Sequence, residues 1–181
     1  MMWSFTPLRC TLVLAGLLVG CAMPMIGHRN TPMLRLPPAA LGRTLALHQQ
    51  LVVESHGQVQ RVEILLEADD VDVRLALLSL GQTVATLSWD GHHFRETQAA
   101  IWPASVRAAR VLSDLQLVWW PVDAVREVLP VGWILRDGPL GRELAYGAEV
   151  VTLVRHLSPT VVELHNLRER YRLLIESISL N

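Results

Sequence analysis

The chain has 181 residues, a formal net charge of −1 and a hydrophobic fraction of 51%. All 16 basic residues are arginine, and charges of both signs are mixed along the chain, so no basic stripe indicates a nucleic-acid partner. The length is sufficient for one domain with a hydrophobic core.

The first twenty residues have the layout of a secretory signal, with Arg9 ahead of an apolar run at 11–20 and a small residue, Gly20, before Cys21. This run is too short to span a bilayer, which needs about 20 apolar residues. The stretch Leu18-Val19-Gly20-Cys21 resembles the bacterial lipobox, and this resemblance implies cleavage before Cys21 and lipid on its sulfur. The alternative is a plain secretory signal with a chance cysteine. Loss of Cys10 with a lipobox signal would leave the chain without a disulfide.

Residues 22–41 predict a tether between the lipidated cysteine and the folded domain. Prolines prevent a helix or strand from running through this stretch, at Pro24, Pro32, Pro37 and Pro38. Ala22 stands where many lipoproteins carry an inner-membrane retention Asp, so the resemblance implies an outer-membrane location. The predicted organisation is a signal peptide at 1–20, Cys21 with a tether to residue 41, and one domain at 42–181.

Short alternating apolar stretches separated by turn sequences predict β-strands after residue 44. The links are too short for parallel crossovers, so the pattern predicts an antiparallel meander. Turns are predicted at His56-Gly57, Ser79-Leu80-Gly81 and Asp90-Gly91, the last being a strong hairpin signal. The predicted strands are 44–54, 59–67, 71–77, 83–89, 92–97, 133–136, 143–146, 149–157, 161–165 and 170–180.

The periodicity changes to three and four residues after Pro103, which favours a helix start. Arg107, Arg110 and Asp114 are predicted on the polar face of this helix, opposite its apolar residues. Trp119-Trp120-Pro121 ends it, and a second short helix is predicted to run from Pro121 to Pro130. The predicted helical insert therefore covers about residues 103–130.

This order of elements resembles the LolA/LolB-like fold, and in particular the outer-membrane lipoprotein receptor LolB. The turn region at 74–83, the insert at 111–135 and the C-terminal hairpin at 162–175 carry the resemblance. It implies a mainly antiparallel β fold with a helical insert, in which a curved, unclosed β-barrel is covered by short lid helices. Asp114-Leu115-Gln116-Leu117 and Trp120-Pro121 also make the chain similar to uncharacterised LolB-like lipoproteins, often encoded near aryl polyene or fatty-acid-like biosynthesis genes.

The resemblance implies a non-enzymatic, periplasm-facing outer-membrane lipoprotein. It would bind a lipid or acyl chain in an apolar cavity and transfer it to the membrane or hold it there. The expected protein is a membrane-anchored monomer with no cofactor. A periplasmic carrier or export partner that delivers its cargo is an open alternative to direct uptake.

The same resemblance indicates two groups of functional residues. Leu80 and Gly81 correspond to a turn that contacts the membrane, although a turn leucine can also fold back onto the core. The two tryptophans between the helices could gate the cavity or simply pack in the core. The predicted lid and cavity residues are Leu112, Leu115, Trp119, Trp120, Val125 and Leu129.

Two other functions are kept as alternatives. One is a structural or adaptor lipoprotein that acts by protein–protein contact in the envelope or in aryl polyene lipid export, with a sheet filled by its own side chains. The other is a lipid or ester hydrolase, for which the sequence lacks a Gly-x-Ser-x-Gly motif. His92 and His93 are predicted on opposite faces of a strand, so they do not predict a metal site.

Overall fold

The computed structural model describes residues 30–102 and 107–180, so the signal peptide, Cys21 and Pro103 lie outside the described residues. The described chain contains a short 3-10 helix at Pro38–Leu41, ten strands and two α-helices. The elements are β1 (Leu45–Ser55), β2 (Gln58–Ala68), β3 (Val73–Ser79), β4 (Gln82–Trp89), β5 (Phe94–Gln98), α1 (Ala108–Trp119), α2 (Val122–Val128), β6 (Trp133–Gly138), β7 (Gly141–Tyr146), β8 (Glu149–His156), β9 (Val161–Asn166) and β10 (Tyr171–Ser179).

All ten strands belong to one antiparallel sheet with the order β5-β4-β3-β2-β1-β10-β9-β8-β7-β6. The edge strands β5 and β6 do not pair with each other, so the sheet is an unclosed barrel. Both helices lie in the connection between these two edges. The predicted mainly antiparallel fold with a helical insert is therefore confirmed, and each predicted strand is present to within two residues at either end.

One face of the sheet carries the hydrophobic core because apolar residues recur at every second position of the strands. In β1, Leu45, Leu47 and Leu51 are buried, and in β2 Ile64 and Leu66 are at most 1% exposed. The two helices pack against this inner face. Among the residues that the structure describes, no helix is long and apolar enough to cross a membrane.

The β4–β5 connection is longer than the predicted two-residue hairpin. Asp90 Oδ1 accepts hydrogen bonds from the backbone N–H groups of His92 and His93, at 2.9 and 2.7 Å, which closes a turn. These two bonds hold the pKa of Asp90 well below its usual range. The histidines therefore lie in this turn and are exposed, so the prediction that they belong to the strand is wrong.

Residues 30–41, called the strap below, are packed onto the domain, so the prediction of a free tether up to residue 41 is wrong for them. Leu34, Leu36 and Leu41 are each 2% exposed or less. Alternate residues of the strap are buried, as in a strand, although its prolines keep it out of the sheet. The spacer prediction remains for 22–29, which lie outside the described residues.

Three successive turns of α1 hold the strap through polar side chains. Arg110 donates to the carbonyl groups of Thr31 and Pro32. The Ser113 hydroxyl accepts the Leu34 N–H at 2.9 Å. Gln116 then accepts the Leu36 N–H through Oε1 at 3.0 Å and donates to the Leu36 carbonyl through Nε2 at 3.1 Å. These bonds satisfy backbone groups that no strand partner reaches.

Candidate functional site

A cavity of about 530 Å³ lies between the inner face of the sheet and α1. Its interior is apolar because the inward residues of β1, β2, β3 and β10 meet the helix here. The apolar lining consists of Leu51, Val53, Val62, Ile64, Leu77, Trp102, Val111, Leu115, Leu173 and Ile175.

The cavity opens at one end of the sheet, where β1 turns into β2. The exposed or half-exposed lining residues Ser55, His56, Gln58, Gln60 and Arg107 form this end, which we call the opening. In an antiparallel sheet alternate turns lie at the same end. The β3–β4 and β9–β10 turns therefore share the end of the opening, whereas the β6–β7 turn lies at the opposite end.

Four ionisable side chains form a cluster beside the opening, called the polar cluster. The Tyr171 hydroxyl of β10 donates to Asp114 Oδ2 of α1 at 2.6 Å. One turn earlier in α1, Arg110 Nη2 donates to Glu169 Oε1 in the β9–β10 turn at 2.5 Å. Both contacts join the helix to the sheet and all four residues line the cavity.

Burial raises the pKa of both Asp114 and Tyr171. Asp114 is only 6% exposed, and loss of solvation raises its pKa to about 7, although the bonds from Tyr171 and the charge of Arg110 oppose this rise. The pKa of Tyr171 also lies far above its usual range, because of burial and the neighbouring Asp114. Asp114 therefore changes its charge near neutral pH inside the cavity.

We expect the effect of Asp114→Asn on stability to depend on pH. The free energy of unfolding of the variant, relative to that of the wild type, should be higher at pH 8 than at pH 4. Between the usual pKa of 3.8 and the folded pKa of about 7, the unfolded chain has lost the proton that the folded chain retains. The free energy of unfolding of the wild type therefore falls by about 4 kcal/mol across this window and levels off above it. Asparagine cannot titrate, so urea unfolding of both proteins should show the difference between them growing with pH. An unchanged difference between pH 4 and pH 8 would contradict this assignment.

Of the six predicted lid and cavity residues, only Leu115 lines the cavity. Leu112, Trp120 and Val125 are at most 1% exposed and belong to the core, while Trp119 and Leu129 are partly buried against it. The Trp120 indole N–H donates to the Pro37 carbonyl of the strap at 3.4 Å. The prediction that these other five residues line the cavity is therefore corrected: they belong to the core or pack against it.

The sequence pattern does not predict the polar cluster, because it puts Arg110 and Asp114 on the polar face of α1, away from the core. Arg110 and Asp114 are in fact buried, at 7% and 6% exposure. The strap covers one side of the helix and the sheet lies on the other, so both faces are enclosed. A polar face that is opposite an apolar face normally indicates solvent, and the sequence carried no sign that a Pro-rich segment would cover it.

The β3–β4 turn exposes a leucine in an unfavourable backbone conformation. Leu80 is 100% exposed, with a φ angle of 52°, and Gly81 follows with 75°. Two positive φ angles are typical of a type I′ turn, where Asn and Gly are the favoured residues. Leu80 therefore does not fold back onto the core, and turn geometry does not explain the choice of leucine.

Within 30–102 and 107–180, no three His, Cys, Asp or Glu side chains lie close enough to hold a metal ion. The Ser55 hydroxyl lies 2.8 Å from His56 Nδ1 at the opening; Ser55 ends β1 and is half-buried, and His56 is exposed in the turn that follows.

The chain matches the model of a known protein family. Residues 46–179 match the family described as "Protein of unknown function (DUF3261)". No curated protein matches the chain. The matched range extends from β1 through β10, so it includes both helices and the cavity. Because the match covers most of the chain, this protein belongs to the DUF3261 family.

Proposed function

We propose that this protein is a lipid-anchored carrier that binds one acyl chain in the cavity and passes it to, or holds it at, the outer membrane. The observation that carries the proposal is the cavity of about 530 Å³ with an apolar interior and a polar opening. Ligand pockets commonly have about 300–1,000 Å³, so the cavity is large enough for a lipid tail.

Burial of a tail supplies the binding free energy in this proposal. Each CH₂ group removed from water contributes about 0.8 kcal/mol, so a tail along Leu51, Ile64 and Ile175 binds in proportion to its buried length. The opening lets the headgroup stay in water. Cys21, with its lipobox, would hold the carrier at the membrane.

Leu80 supports a role at the membrane surface because it lies at the same end of the sheet as the opening. Inserting one leucine into lipid contributes roughly 1.5–3 kcal/mol, enough to orient the opening toward a bilayer but not to anchor the chain. Glycine or asparagine would suit the turn better, so the leucine has a cost that a membrane contact would offset.

The proposal is tested with the full-length chain in its own membranes and a photoreactive acyl chain. After illumination, peptide mass spectrometry should locate the crosslinks in β1, β2, β10 and α1, around Leu115 and Ile175. Crosslinks spread over the outer face of the sheet, or none at all, would contradict the carrier function and favour an adaptor that acts by protein contact.

We expect Leu80→Asn to increase stability and slow lipid transfer at the same time. Asparagine tolerates the left-handed conformation, which costs leucine roughly 1–2 kcal/mol. The loss of an inserted leucine should slow movement of a fluorescent acyl chain into acceptor vesicles by about tenfold. Leu140→Asn is the matched control, because Leu140 is 87% exposed in the β6–β7 turn at the opposite end. Equal transfer rates for both variants would exclude the membrane contact.

A further inference from the structure

One carboxylate of the polar cluster, that of Glu169, already lies between two arginines, Arg110 of the cluster and Arg107 of the opening. Glu169 accepts the 2.5 Å hydrogen bond from Arg110 Nη2, and its other oxygen lies 3.7 Å from Arg107 Nη2. Guanidinium groups bind carboxylates through paired N–H donors, so this side of the opening has the chemistry to bind a second carboxylate. All three residues line the cavity.

The two arginines have more donors than this carboxylate uses. The Arg107 side chain is 63% exposed, and the distant contact with Glu169 is its single ion pair among the described residues. Arg110 is held in place by the Thr31 and Pro32 carbonyls, and its buried Nε–H has no hydrogen-bond partner there. A guanidinium has five N–H donors and no acceptor, so Arg107 in particular can bind an anion at the opening.

The charge of the lining favours a ligand with one negative charge. Arg107 and Arg110 face two lining acids, Glu169 and Asp114. Because burial raises the pKa of Asp114 to about 7, this acid is largely protonated below neutral pH, which leaves one positive charge in excess. The remaining polar residues of the opening are Ser55, His56, Gln58 and Gln60, none of which is an acid.

We propose that the ligand is a single-chain amphiphile with a carboxylate headgroup, bound by Arg107 at the opening with its tail toward Leu115 and Ile175. This inference rests on the proposed function and names the headgroup that the site selects. The headgroup would lie next to Glu169, whose negative charge weakens the attraction between Arg107 and the ligand.

Two photoreactive probes with the same tail, one ending in a carboxylate and one in an alcohol, test the headgroup. Each probe is titrated onto membranes that carry the full-length chain, and the concentration that gives half-maximal labelling is measured. The ratio of these two concentrations is then compared between variants. Because the two probes partition differently into lipid in the same way for every variant, the comparison of ratios cancels that difference. Arg107→Gln should lower the preference for the carboxylate by about fivefold, the scale of one partly exposed ion pair. Glu169→Gln should raise it, because a competing carboxylate is removed.

The control is Arg61→Gln, the same substitution on the strand that carries Gln60 and Val62. Arg61 is exposed and does not line the cavity, so its variant should keep the wild-type ratio. Labelling by both probes with a ratio that Arg107→Gln leaves unchanged would overturn the headgroup inference alone. Absence of labelling by either probe would overturn the carrier function and this inference with it.

Discussion

Val62→Trp should raise the probe concentration needed to label the cavity by about tenfold while the chain remains folded. Val62 is half-buried on the inner face of β2 and lines the cavity, near the opening. The indole has free space to enter, and aromatic residues are well accepted in strands, so the substitution need not disturb the core. Exclusion of only two CH₂ groups of a bound tail would weaken binding by roughly 1.6 kcal/mol, about tenfold.

The measurement is photocrosslinking of the acyl probe to the full-length chain, with Val52→Trp as the matched control. Val52 is half-buried in the neighbouring strand β1, but it lies on the outer face, where it pairs with Arg61. Tryptophan at 52 should therefore leave labelling unchanged. Wild-type labelling with tryptophan at 62 would mean that the acyl chain binds elsewhere.

Leu36→Ala should cost about 2–5 kcal/mol of unfolding free energy, the usual range for a fully buried leucine. Leu36 is 0% exposed, and its backbone N–H and carbonyl are both bonded to Gln116. The Trp89 indole N–H also donates to the Leu36 carbonyl at 2.7 Å. The strap is thus part of the core, and the loss of its central side chain leaves a void under the strap.

The urea midpoint of the membrane-anchored chain, measured by pulse proteolysis, reports this loss. Leu174→Ala is the control, because Leu174 is 37% exposed on the outer face of β10 and should change stability much less. Equal midpoints for the two variants would show that the strap is dispensable for folding.

Gln116→Glu separates the hydrogen bonds of the strap from its apolar packing. Glutamate keeps an acceptor for the Leu36 N–H. Its second oxygen, however, replaces the Gln116 Nε2 group that donates to the Leu36 carbonyl in the wild type. Side-chain volume barely changes, so a loss of about 1–3 kcal/mol in the same assay would come from the unpaired polar groups and not from a void.

The sequence by itself determined the strands, their antiparallel hairpins and the position of the helical insert. Alternation at period two is local, and a turn such as Leu80-Gly81 can join only neighbouring antiparallel strands, so the hairpin pairings follow from chain order. The pairing of β1 with β10, which joins the two halves of the sheet, does not follow from it. Trp89 and Trp133 lie at buried positions of this alternation, at most 8% exposed.

Only the tertiary structure decided what covers α1 and what surrounds the cavity. Prolines keep the strap out of the sheet, but they carry no information about the helix side chains that bind its backbone 79 and 80 residues away. The same limit applies to Asp114 and Tyr171, which are 57 residues apart. Local patterns specify which face of an element is apolar. The burial of a polar face depends on which distant segment packs against it, and that is a property of the whole fold.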